Sequence, residues 1–144
     1  MTAEAFRDEG IRMLDVIIGY FSNLADRPVR PDTRPGDVAR AFPAELPEAP
    51  AGKATWDQIH EQIRSIVLPN TMHWQSPSFF GYFPCNTSAP AILGELLCAG
   101  LGGQGMLWQT APAANEIERV LLDQMARAMH LPDRFLSSSN TGGG

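Results

Sequence analysis

Lysine is almost absent from this chain of 144 residues: of 11 basic residues, ten are arginine and one is Lys53. Any chemistry that needs a primary amine must use that residue or one outside the chain. Cysteine is scarce too. Cys85 and Cys98 show no C-x-x-C spacing, which excludes a disulfide framework and suits a reducing compartment. With three histidines, dispersed at 60, 73 and 130, a metal site has little to draw on. The first residues, Met1 to Glu9, carry acids where a secretory signal needs a basic and then an apolar stretch. No apolar run is long enough to span a bilayer. A net charge of −5 argues against nucleic acid or an anionic membrane as partner. The expectation is a cytoplasmic protein, and 44% hydrophobic with 19% charged residues fits a globular chain.

The pattern along the chain is helical. Over residues 3–25, Phe6, Met13, Leu14, Ile17, Ile18, Phe21 and Leu24 make an apolar stripe, with Thr2 as N-cap and Glu4 in the first turn. Residues 26–54 hold Pro28, Pro31, Pro35, Pro43, Pro47 and Pro50. Proline fixes its own backbone and keeps the preceding residue out of the helical region, so an extended strap follows, with one helical turn over Asp37–Phe42. Residues 55–68 read as a helix opened by a capping box at Thr55-Trp56-Asp57-Gln58 and closed by Leu68-Pro69. Ser88 caps a helix to about Leu101, and Thr110 and Pro112 open a last one to about His130. In that last helix Asp123 and Arg127 have the spacing of an ion pair. Ser137 to Gly144 reads as a flexible loop or cut site.

Two familiar patterns fail on context. Gly100-Leu101-Gly102-Gly103-Gln104-Gly105 has the letters of a dinucleotide loop but follows a helix, whereas that loop must follow a strand and open a helix. The plainer reading is a glycine hinge that permits close packing. His60-Glu61-Gln62-Ile63-Arg64 puts a permanent cation where a zinc helix needs its second histidine.

Residues 70–87 are the unusual stretch. Trp74, Phe79, Phe80, Tyr82 and Phe83 are interrupted by Pro77, Gly81 and Pro84, so irregular backbone displays the rings, with Phe79–Phe83 the one candidate strand. Core packing and a pocket wall are both open on residue physics alone.

The run His73-Trp74-Gln75-Ser76-Pro77-Ser78-Phe79-Phe80-Gly81-Tyr82-Phe83-Pro84 resembles the aromatic L-amino-acid decarboxylases, a pyridoxal-phosphate-dependent family. The likeness continues in order through Arg30-Pro31-Asp32, Leu68-Pro69, Pro90-Ala91-Ile92-Leu93, Leu107-Trp108, Pro112 to Glu118, Leu131-Pro132 and the glycines at 142–144. It implies a mainly α chain forming the start of a fold-type-I pyridoxal enzyme, α/β when complete. Residues 1–87 would be a helical segment wrapping a homodimer partner, and 88–144 the first helices of the cofactor-binding domain. It further implies that Trp74, Tyr82, Phe83, Pro84 and Cys85 line the substrate pocket, and that Gln104 and Met106 reach the partner's active site. Cys85 and Gln104 depart from the residues usual there. Tryptophan, phenylalanine, tyrosine and their hydroxylated forms lead as substrates.

The chemistry states what this stretch lacks. The cofactor is held as an imine to a lysine, and its ring is the electron sink for loss of carbon dioxide. Lys53 lies in the strap and matches no family lysine. The expectation is therefore part of an enzyme, with no catalytic residue in this chain, completed by the remainder of the polypeptide. A short non-catalytic helical interaction module, or an ordinary helical domain without a site, are the alternatives.

Overall fold

The structure, a computed structural model, describes residues 1–43, 53–83 and 87–141, without the side chains of 53 and 54. Pro47, Pro50, Pro84, Cys85 and the terminal glycines lie outside the described residues. The chain divides into two compact units, Met1–Asn86 and Thr87–Gly144. Helices and turns account for all regular structure among the described residues. Phe79–Phe83 accordingly is irregular, with a bend at Gly81 and Tyr82, and not the strand considered for it.

In the first unit, α1 spans Ala3–Ser22, and the Thr2 hydroxyl accepts from the Ala5 amide at 3.1 Å. A 3₁₀ turn, Leu24–Asp26, ends it before Pro28. Within this chain its apolar face is covered along one edge and open along the other. Val16 and Leu24 are buried, flanked by half-buried Met13, Ile17 and Tyr20. Ile11, Ile18 and Phe21 are exposed along the other edge, and Phe6 near the helix start is exposed as well. At about 100° per residue Ile17 and Phe21 lie only about 40° apart, so the expected stripe is one continuous arc whose far edge, toward Ile18 and Ile11, is open in this chain.

The described part of the strap is tied to its own chain. Gly36 takes φ +91° ahead of the short α2, Asp37–Arg40, and a Cβ there would meet Arg40 Nη1 at 2.9 Å. The Val29 carbonyl accepts from the His73 amide at 2.9 Å, and the Thr33 hydroxyl donates to Asn70 Oδ1.

Helix α3 begins at Lys53 and runs to Gln62, so the capping box at Thr55 does not form. Thr55 sits inside the first turn with its hydroxyl oxygen buried and unpaired. The chain continues as a π turn, Ile63–Val67, and a 3₁₀ turn, Leu68–Asn70. Pro69 explains the loosening: it has no amide to offer the preceding turn. Side chains take over some of the carbonyls, with Asn70 Nδ2 on Ile66 and the Thr71 hydroxyl on Val67, each at 2.7 Å.

Polar groups cross from α1 to α3. Arg12 bridges Glu9 at 3.1 Å and Asp57 at 2.9 Å. Glu9 also meets His60 Nε2 at 2.9 Å, and His60 is 1% exposed.

In the second unit, α4 spans Ala89–Leu101 and α5 spans Pro112–Ala128. The Ser88 hydroxyl caps α4 from Ala91 at 3.4 Å, and Gly102, at φ +61°, ends it by donating to the Cys98 carbonyl. That is the role of the glycine-rich run here. No close packing against Gly100, Gly102, Gly103 or Gly105 is present among the described residues, contrary to the hinge reading.

Asp123 does not pair with Arg127 as its spacing suggested. Its carboxylate instead accepts the amide and hydroxyl of Ser137, each at 2.7 Å, folding the last segment back. Those bonds hold the Asp123 carboxyl below the usual range, with Arg127 and Arg119 adding to the effect.

Candidate functional site: an aromatic loop

The loop of residues 73–83 is built from successive turns. Ser76 donates its amide to the His73 carbonyl and Phe79 to the Ser76 carbonyl, each at 3.0 Å. Ser76 is buried and its hydroxyl accepts from the Ser78 amide at 3.3 Å. This winding gathers three rings. Trp74 stacks on Phe79 with centroids 4.9 Å apart and meets Tyr82 at 5.6 Å.

Tyr82 has φ +54°. A left-handed backbone is disfavoured for a bulky residue and is found where surroundings or function demand it. At Gly81 before it, a Cβ would stand 3.8 Å from the edge of the Phe79 ring, an ordinary contact. The result is a ring cluster presented outward: Tyr82 is 80% and Phe83 96% exposed within this chain, and Trp74 is half-covered. Offset rings of this kind offer a flat apolar face to a flat ligand.

The loop is anchored at its first residue. His73 is buried, and its Nδ1 lies 3.1 Å from the Tyr20 hydroxyl of α1. The Arg27 guanidinium stands 5.6 Å over the Tyr20 ring. Burial, and then the Arg27 charge, push the His73 imidazole below the ordinary histidine range. Burial raises the Tyr20 phenol, and Arg27 opposes that rise.

Of the residues singled out in the sequence, Trp74 and Tyr82 are brought together, with Phe83 next to them and fully exposed. Pro84 and Cys85 lie outside the described residues. Gln104 and Met106 share the turn segment between α4 and α5 in the second unit. There the Gln104 carbonyl accepts from the Thr110 hydroxyl at 2.8 Å, and Met106 is exposed. Asn115 holds that segment from α5, donating to the Gly105 carbonyl at 3.0 Å, and Trp108 donates to Glu116 at 2.8 Å.

Tyr20 and Arg27 were not singled out, and His73 stood only as one of three dispersed histidines and the first residue of the aromatic run. The one signal for Tyr20 was a phenol on an apolar helix face, since a partly buried hydroxyl needs a partner.

An anchored aromatic loop in the first unit of a helical chain suits a ligand with an aromatic ring, and comparison with known proteins gives the family. The model of the pyridoxal-dependent decarboxylase conserved domain matches residues 35–144, and the chain belongs to that family. It is 42% identical to phenylacetaldehyde synthase of Arabidopsis thaliana, over 99% of this chain and 29% of that protein. It is 38% identical to the aromatic-L-amino-acid decarboxylase of Mus musculus, over 100% of this chain and 30% of that protein. The crystal structure of Catharanthus roseus tryptophan decarboxylase in complex with L-tryptophan superposes with a TM-score of 0.88 at 35% identity, over 99% of this chain and 29% of that one. The chain thus spans about 30% of the length of the relatives it matches. No helix among the described residues is long and apolar enough to cross a membrane.

Proposed function

We propose that this chain forms part of a pyridoxal-phosphate-dependent decarboxylase of aromatic L-amino acids, to which it contributes a substrate-pocket wall and dimer interface. The observation that carries the reading is the Trp74–Phe79–Tyr82 ring cluster, built on a strained backbone and displayed outward. Relatives named for aromatic amino acids, one of them crystallised with L-tryptophan, support the choice of substrate class.

In this reading Trp74, Tyr82, Phe83, Pro84 and Cys85 form the wall that receives the substrate ring. Gln104 and Met106, on their exposed turn, reach toward the active site of the opposite subunit. The open edge of α1, Ile11, Ile18 and Phe21, lies against the partner in a cytoplasmic homodimer.

The chain's one lysine, Lys53, matches no lysine of the family and is not assigned to the cofactor. Pyridoxal phosphate supplies the electron sink for loss of carbon dioxide, and its lysine comes from outside this stretch. What this chain does is bind and orient the ring end of the substrate and exclude water from it.

Trp74→Ala and Tyr82→Ala in the complete enzyme test the wall. Each should lower kcat/KM for aromatic amino acids by about tenfold to a hundredfold, with the dimer intact by sedimentation. Unchanged kinetics in both variants would remove the pocket assignment.

A further inference from the structure

The ring cluster stands on a loop with little regular structure, yet its first residue is fixed from two directions. The His73 amide donates to the Val29 carbonyl at 2.9 Å, and the His73 ring meets the Tyr20 hydroxyl at 3.1 Å across 53 residues of sequence. Both partners belong to α1 or to the segment that follows it. The rings of Tyr20 and His73 lie 5.4 Å apart by centroid, and Phe21 packs edge-on against Tyr20 at the same distance. The Arg27 guanidinium stands over the phenol ring at 5.6 Å. Trp74 follows His73 directly, so its backbone starts from an atom set that cannot rotate freely.

We propose that Tyr20 and His73 are positioning residues that set the place of the Trp74–Phe79–Tyr82 cluster, and through it the affinity for the aromatic ring of the substrate. The inference rests on the pocket reading above but concerns a different contact. A part-buried hydrogen bond between two aromatic side chains fixes both distance and ring orientation, where apolar packing alone would let the loop slide over α1. Burial, and then the Arg27 charge, push the imidazole below the ordinary histidine range, which favours the uncharged ring beside that guanidinium.

The test uses the complete, cofactor-loaded enzyme, with L-tryptophan, L-tyrosine and L-phenylalanine assayed in parallel. Tyr20→Phe keeps the ring and removes only the hydroxyl. His73→Leu removes the ring nitrogen, whereas His73→Asn places an amide where Nδ1 stood and can serve the phenol as donor or acceptor. Tyr20→Phe and His73→Leu should raise KM about tenfold with kcat within about twofold of the parent, and His73→Asn should restore most of the loss. Near-ultraviolet circular dichroism reads the cluster without catalysis: the Trp74 contribution, identified by difference from Trp74→Phe, should diminish in Tyr20→Phe.

Unchanged KM and unchanged dichroism in Tyr20→Phe overturn the inference. So does a loss confined to kcat and melting temperature that His73→Asn fails to rescue, since that marks a scaffold contact only. If Tyr20→Phe alters the dichroism while Trp74→Ala and Tyr82→Ala leave KM untouched, the positioning contact stands and the pocket reading fails.

Discussion

Polar side chains tie the first unit, Met1–Asn86, together across long stretches of sequence, while the second, Thr87–Gly144, is held by local bonds and leaves its apolar side chains in the open. In the first, Glu9 and Arg12 of α1 reach His60 and Asp57 of α3, and Tyr20 reaches His73. In the second, Asn115 reaches back to Gly105, and Asp123 reaches forward 14 residues to Ser137. Leu93, Leu96, Leu97 and Leu101 of α4 are exposed, as are Ile117, Val120, Leu121 and Met125 of α5. A shallow hollow along α5, between Gly105, Ala114, Ile117 and Leu121, is part of the same apolar surface. The difference separates two means of ordering a helical chain. One specifies its arrangement through directional contacts, and the other offers apolar surface that gains energy only when covered.

Breaking that contrast from the second unit should give the largest effect. Leu97 is 62% exposed in this chain. If the remainder of the polypeptide or a partner covers α4, Leu97→Asp buries a carboxylate and should cost several kcal/mol, seen as loss of soluble enzyme. A change within about 0.5 kcal/mol by urea denaturation would show that α4 faces water and that the contrast has been overdrawn.

The first unit should be broken by removing one partner of a buried pair. Glu9→Ala leaves His60, already lacking a partner at Nδ1, without one at Nε2. The expected cost is about 1–3 kcal/mol in chemical denaturation, the penalty for a buried polar group left unpaired. Replacing both, Glu9→Leu with His60→Leu, should recover much of it, which separates a specifying contact from a stabilising one.

The sequence showed the helices well and the contacts between them hardly at all. The caps at Thr2 and Ser88 and the helices through Leu101 and Ala128 follow from local spacing, which is how such signals act. The capping box at Thr55 failed because the helix starts two residues earlier, at Lys53, and a cap motif carries meaning only at a boundary. The stripe assigned to α1 forms one arc of the helix, and spacing alone does not say which edge of it the chain covers. His60 looked like half of a metal motif and is a buried partner of Glu9, a residue 51 positions away. No local pattern carries that information. The aromatic loop was legible as unusual, its rings being broken up by proline and glycine. Its anchor on Tyr20 was not, because a hydrogen bond between distant segments leaves no periodicity behind.

Acid should loosen the two units in different pH windows. The His73 imidazole is pushed below its ordinary value of 6.5 by burial and the Arg27 charge, so the folded state binds that proton less readily than the unfolded chain. Its contribution is complete above about pH 6.5 and declines as pH falls below that value. Asp123 is lowered from 3.8 by its bonds to Ser137, so its contribution is complete above the ordinary carboxylate range and is lost only in stronger acid. Amide hydrogen exchange should therefore show the protection of His73 weakening below about pH 6 while Ser137 keeps its own to about pH 4. Simultaneous loss at both sites would mean that the units open together.

The smallest effects compare the two N-caps, one in each unit. The Thr2 hydroxyl lies 3.1 Å from its amide and the Ser88 hydroxyl 3.4 Å from its own, both exposed. Thr2→Ala should cost about 1 kcal/mol, and Ser88→Ala about 0.5 kcal/mol because the longer bond returns less. Proline in the first turn of α4 already presets the backbone that the cap would otherwise fix. A larger loss from Ser88→Ala than from Thr2→Ala would show that α4 depends on its cap, and hence on local order, more than on the surface that covers its leucines.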